Sequence, residues 1–147
     1  MTSERQRWTG FFFDDTTLRN MGLVVSLNHV GEMCPSPSAP TDLVVMDVSG
    51  VHTVMVTFCE CYHSVGGSHV RSQLLRHRWF PATVARPRTV FTFDVLDSFH
   101  LLTLQGKTSA YDYYLSIEHK TDNTGISSIK VPVRTQHSIL SAFNYLT

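Results

Sequence analysis

Residues 42 to 61, DLVVMDVSGVHTVMVTFCEC, contain two short apolar runs, DLVVMDV (42–48) and VHTVMVTF (51–58), separated by Ser49 and Gly50. In the second run Val51, Thr53, Met55 and Thr57 alternate with His52, Val54, Val56 and Phe58. Two β-branched runs around a Gly-containing pair predict a hairpin. Its second strand runs directly into Cys59 and Cys61, with His63 close behind, so two thiols fall at a strand end. The one remaining cysteine is Cys34.

Working outward, MGLVVSLNH (21–29) predicts an earlier strand. MCPSPSAPTD (33–42), with three prolines in six residues, predicts the loop that joins it to the hairpin, because proline donates nothing to a ladder and restricts its predecessor. Past the cysteines, HSVGGSH (63–69) predicts a turn, VRSQLLRHRWF (70–80) admits a strand or a short helix, and PATVARP (81–87) predicts an extended connector. The second half turns helical. Thr89 can cap a helix in which Phe91, Val95, Phe99 and Leu102 recur at three- and four-residue spacing, ended by the QGK of 105–107. Ser109 can cap a second helix, AYDYYLSIEHK (110–120), with Tyr111, Tyr114, Leu115 and Glu118 on one side, and TDNTG (121–125) stops it. The expected class is α+β: a small antiparallel β-sheet, a meander carrying the Cys/His cluster, followed by two α-helices packed on it.

A chain of 147 residues, with 42 % apolar and 16 % charged residues, is one domain long enough to bury a core. Twelve basic and twelve acidic residues cancel, so no global field draws it to nucleic acid or membrane. The charge is nevertheless segregated. No Lys or Arg lies between Asn20 and Val70, where Glu32, Asp42, Asp47 and Glu60 occur, whereas Arg71, Arg76, Arg78, Arg86 and Arg88 occur with no carboxylate from Cys61 to Phe93. The N-terminus lacks the apolar core of a signal peptide and no run approaches a membrane helix. An intracellular location is expected, where close-set thiols more often hold metal than form disulfides, and an odd cysteine count weighs the same way.

Zinc takes about four Cys or His ligands in tetrahedral array. His29 with Cys34 and Cys59 with Cys61 form two pairs, flanking the ends of the first and third strands, with His52 and His63 in reserve. Side chains at i and i+2 of a flat strand stand about 6–7 Å apart, against about 4 Å for zinc-bound sulfurs, so metal binding demands a bend between Cys59 and Cys61. The competing reading packs the thiols as small apolar groups. A nucleophile built from Cys59, His52 or His63 and Asp47 has no local signature. Asp94, Asp97 and Asp112 suggest two-metal chemistry less than they suggest charge near helix N-termini. No catalytic residue and no small-molecule substrate are expected. The arginines, interleaved with Trp79 and Phe80, suit phosphate contact and base stacking, or pairing with acids within the chain or on a partner.

The order of segments resembles a fungal family, the CxC-type cysteine cluster domain found with KDZ (Kyakuja–Dileera–Zisupton) transposases. The likeness runs from about Arg7 to Gly125. It is carried by Asn28, His29, Cys34 and Pro35, by Gly50, Val51 and His52, by Phe58, Cys59 and Cys61, and by Arg78, Phe80, Pro81, Ala82, Thr83 and Pro87. The resemblance implies a domain over 7–125, an atypical tail over 126–147, and structural zinc on His29, Cys34, Cys59 and Cys61, with His52 or His63 as substitutes. It implies a non-catalytic accessory module of a transposon protein, nuclear rather than cytoplasmic, in contact with DNA through Arg71, Arg76, Arg78, Arg86 and Arg88 or with a transposase domain. Family members continue into a DDE transposase domain that this sequence lacks, so a truncated element is expected. An interaction module without a nucleic-acid role, or a relic without function, are the alternatives.

Overall fold

The computed structural model describes residues 6–16, 18–27, 34–61, 68–83 and 85–121. His29, His63 and the tail over 126–147 lie outside them. A small antiparallel ribbon, β1 (Gln6–Trp8) with β2 (Phe13–Asp15), precedes the main sheet. That sheet contains β3 (Val24–Ser26), β4 (Thr41–Asp47), β5 (Gly50–Thr57), β6 (Trp79–Pro81) and β7 (Thr89–Thr92). The helices are α1 (Ser68–Arg76), α2 (Phe93–Gly106) and α3 (Ala110–Thr121).

The α+β class stands, but the sheet is mixed and is not a meander. Its order is β3-β5-β4-β7-β6. The β4–β5 hairpin is antiparallel as expected, with Leu43 opposite Val54 and Met46 opposite Val51. β3 runs parallel to β5, and β7 runs parallel to β4. Parallel neighbours need crossover connections, and two are present. The chain from β3 to β4 must pass the end of β5, because β5 lies between them. The chain from β5 to β7 passes through α1 and the edge strand β6.

Helices cover both faces of the sheet. Leu74 of α1 packs with Leu27, Leu43, Val45, Val54, Val56 and Val90. Val95, Leu96 and Phe99 of α2 and Tyr113, Tyr114 and Ile117 of α3 pack with Met46, Val51 and Phe91. Strands β4, β5 and β7 therefore bury side chains on both faces, which explains why both alternating sets of the VHTVMVTF run are apolar-rich.

Three local expectations change. Residues 70–80 resolve into both alternatives in turn: α1 ends at Arg76, and Arg78, in a left-handed turn at φ 59°, leads into β6. Thr89 does not cap a helix, because Thr89–Thr92 is made of β-branched and aromatic residues and pairs with β4 and β6, leaving Phe91 in the sheet. The cap is Thr92, whose Oγ1 accepts from Val95 N at 3.3 Å. Helix α3 starts after Ser109 as expected, where Asp112 N donates to Ser109 Oγ at 3.1 Å. Its buried face, however, is Tyr113, Tyr114 and Ile117, leaving Tyr111 58 % exposed. At its far end Val51 N donates to Thr121 Oγ1 and Lys120 Nζ donates to the Val48 carbonyl, tying α3 to the β4–β5 hairpin.

Candidate metal centre

The crossover from β3 to β4 builds the site. Leu27 N still donates to the Thr57 carbonyl at the end of β5. The chain then returns across that end as the proline-rich segment, which pairs with the continuation of β5. Pro37 and Cys59 form an antiparallel bridge. Ser38 N donates to the Phe58 carbonyl at 2.8 Å, Glu60 N donates to the Ser36 carbonyl at 2.9 Å, and Phe58 N donates to Ser38 Oγ at 2.9 Å. Prolines at 35, 37 and 40 lack an N–H, so this segment makes single stitches where a regular strand would make a ladder.

Those stitches place Cys34 against Cys59 and Cys61. The three sulfurs lie within 4.8 Å of one another, with Cys34 Sγ and Cys61 Sγ 3.4 Å apart. Cys34 and Cys59 are buried and Cys61 is half-buried. Tetrahedral zinc–thiolate bonds of about 2.3 Å put the sulfurs about 3.8 Å apart, so the observed spacings fit one ion with small shifts. The chain does bend between Cys59 and Cys61, as that chemistry demands, and the Cys61 amide turns back to donate to Cys59 Sγ at 3.5 Å.

The cluster polarises itself. The Cys61 amide, opposed by burial and aided by the Cys61 and Cys34 side chains, holds the Cys59 thiol below its ordinary range. Hydrogen bonding to Cys34 and then to Cys59, with burial, pushes the Cys61 thiol up to about 11. Cys59 therefore ionises before Cys61, the behaviour of close acids that share charge until a cation neutralises them.

A residue without a motif supports the cluster. Gln73 of α1 is 4 % exposed, and its side-chain amide grips the backbone of Cys59 from both sides. Cys59 N donates to Gln73 Oε1 at 2.7 Å, and Gln73 Nε2 donates to the Cys59 carbonyl at 3.0 Å. No periodicity in the sequence marks Gln73, because residues 70–80 admit either a strand or a short helix.

His52 is placed elsewhere. It sits near the start of β5, seven residues before Cys59, about 20 Å away along a strand. The hairpin end holds it: Ser49 Oγ donates to Asp47 Oδ2 at 2.7 Å and lies 3.0 Å from His52 Nε2. The single hydroxyl hydrogen of Ser49 goes to Asp47, so His52 Nε2 is the donor to Ser49. Cys59, His52 and Asp47 therefore do not meet as a nucleophile, base and orienter, and His52 is not beside the sulfurs.

The five arginines are exposed. Arg78 pairs with Asp94 at 3.6 Å and lies over the Phe93 ring, 5.6 Å from its centroid. Among the described residues it is the one member of the five in an ion pair. Arg76 and Arg78 flank one end of the three-residue edge strand β6, and Arg86 and Arg88 occupy the turn leading from its other end to β7. Among the described residues, no helix is long and apolar enough to cross a membrane.

The family model for the CxC2-like cysteine cluster associated with KDZ transposases matches residues 18–125. No curated protein and no solved structure matches the chain.

Proposed function

The chain belongs to the CxC2-like cysteine cluster family associated with KDZ transposases, and on that premise we propose that it is a non-catalytic module whose fold is clamped by structural zinc. The observation that carries this is the convergence of three sulfurs from segments 27 residues apart. The proposed fourth ligand is His29. It follows Leu27 by two residues, and two peptide units span about 7 Å, enough to bring an imidazole to the end of β5. Four protein ligands close the coordination sphere and leave no position for an activated water, so the metal's part is folding energy.

The finer reading is that the module works in the nucleus beside a transposase domain and touches DNA. Exposed Arg76, Arg78, Arg86 and Arg88 at the β6 edge support it, three of them without an ion-pair partner among the described residues. Phosphate contact then supplies affinity without sequence choice.

Metal content of purified chain tests the first part. One zinc per chain is expected, and thermal unfolding should move to lower temperature when a chelator strips it. A folded protein that carries no metal and ignores chelator ends the reading. Binding to random duplex DNA tests the second. Affinity should fall about 10²-fold or more between 50 and 200 mM salt for four phosphate contacts, and changing the four arginines to Glu should remove it. Absence of binding at low salt leaves a protein-interaction module.

A further inference from the structure

The three sulfurs are not equivalent in their packing. Cys34 and Cys61 are in direct contact at 3.4 Å, from strand segments joined by the Pro37–Cys59 bridge and the Glu60-to-Ser36 hydrogen bond. The bridge puts Pro35 opposite Cys61, so Cys34 and Cys61 are not a cross-strand pair in register, and it is the 3.4 Å sulfur contact itself that puts them within reach of a cross-link. Cys59 is held differently. Its backbone is clamped by Gln73, and its sulfur accepts the Cys61 amide. Cys61 is also the most exposed of the three, while Cys34 behind it is 6 % exposed.

We infer that Cys34 and Cys61 are a redox pair: in the metal-free chain a low-molecular-weight disulfide converts them to an intramolecular disulfide and leaves Cys59 a thiol. Cys61 Sγ, giving up its proton to solvent, attacks one sulfur of the oxidant RSSR, forming Cys61–S–SR and expelling RS⁻. The Cys34 thiolate then attacks Cys61 Sγ, forming the Cys34–Cys61 bond and expelling the second RS⁻. Two protein thiols lose two electrons and two protons, and RSSR gains them as two RSH. A mixed disulfide formed first on Cys59 can pass to Cys61 by exchange, since all three sulfurs lie within 4.8 Å of one another.

The consequence for regulation rests on the metal reading above, though the cross-link itself does not. A disulfide sulfur has no thiolate to offer, so oxidation removes two of the three sulfur ligands and zinc must leave. Bound zinc in turn occupies the attacking thiolates and retards oxidation.

The experiment treats full-length chain, as zinc-loaded and as metal-stripped protein, with oxidised glutathione, followed by alkylation at low pH and digestion. Trypsin leaves all three cysteines on one fragment, because no Lys or Arg lies between Asn20 and Val70. Cleavage at Glu60 separates Cys59 from Cys61, and cleavage at Asp42 and Asp47 separates Cys34 from Cys59. Metal-stripped protein should give a Cys34–Cys61 cross-link with Cys59 alkylated. C59S should keep the link, and C34S and C61S should lose it. Zinc-loaded protein should oxidise at least tenfold more slowly, and the oxidised chain should take up no zinc until reduced. A link that contains Cys59, a link between chains, or three alkylated thiols in the metal-stripped wild type overturns the pairing. Equal oxidation rates with zinc bound overturn the regulation. A Cys34–Cys61 link in a chain that never binds zinc removes the metal reading and its regulation while the redox pair stands.

Discussion

Gln73 shows how one side chain can stand in for a strand. A peptide group facing the Cys59 backbone would donate and accept once each, and the Gln73 amide does both from a helix. Gln73→Leu removes both hydrogen bonds to the buried Cys59 backbone and should cost about 2–4 kcal/mol in urea unfolding. Gln73→Glu keeps the acceptor but loses the donor, so it should recover part of that loss. Zinc affinity should fall in both variants, because the turn carrying Cys59 and Cys61 loses its support. The thiols add a pH dependence of known sign. Cys61, pushed up to about 11, is protonated at neutral pH and must release its proton to bind metal. Adding zinc in weak buffer near pH 7.5 should therefore release protons, and affinity should rise with pH. Metal uptake without proton release would mean that Cys61 is not a ligand.

At the scale of elements, Asp47 couples the β4–β5 hairpin to the start of α2. Its Oδ1 accepts from Thr92 Oγ1, the cap residue, at 2.8 Å, and its Oδ2 accepts from the Ser49 amide and hydroxyl. Burial raises its pKa, but the Ser49 and Thr92 hydroxyls, with the Ser49 and Val48 amides, outweigh that and hold it below 3.8. A depressed carboxyl contributes stability above its unfolded value, and that stability is lost as pH falls through the folded value. Asp47→Asn should thus cost about 1–2 kcal/mol in unfolding free energy at pH 7, and the cost should shrink as pH falls through the depressed folded value. A cost independent of pH would show that the carboxylate's charge is irrelevant. Thr92→Ala, which removes the cap and the Asp47 contact together, should cost about 1–2 kcal/mol.

For the whole molecule, the sulfur cluster and the larger core lie in different parts of the fold. Met46, Phe91, Phe99 and Ile117 are all at most 1 % exposed and depend on no cysteine. Stripping zinc should therefore release amide protection first at Ser38 and at 58–60, while the β4–β7 ladder and α2 exchange only on global opening. Uniform loss of protection would mean that the metal and the core unfold as one unit.

The hairpin, the helix ends at Gly106 and Ser109, the thiols at a strand end and the family itself were legible in the sequence. Each depends on neighbours within a few residues or on the order of segments. No apolar run in the sequence approaches membrane-helix length, and among the described residues no helix is long and apolar enough to cross a membrane. What sequence spacing could not assign was adjacency. Whether β3 lies beside β4 or β5 turns on long-range pairing, and a strand with two apolar faces fits either place. That choice sends the proline segment across the end of β5 and brings Cys34 to Cys61, while His52, a reserve ligand by spacing, goes to the far end. The buried sides of α3 and the grip of Gln73 were likewise decided by which surfaces remained to be covered once the sheet had formed. The residue types capable of binding metal belong to the sequence; their meeting belongs to the crossover.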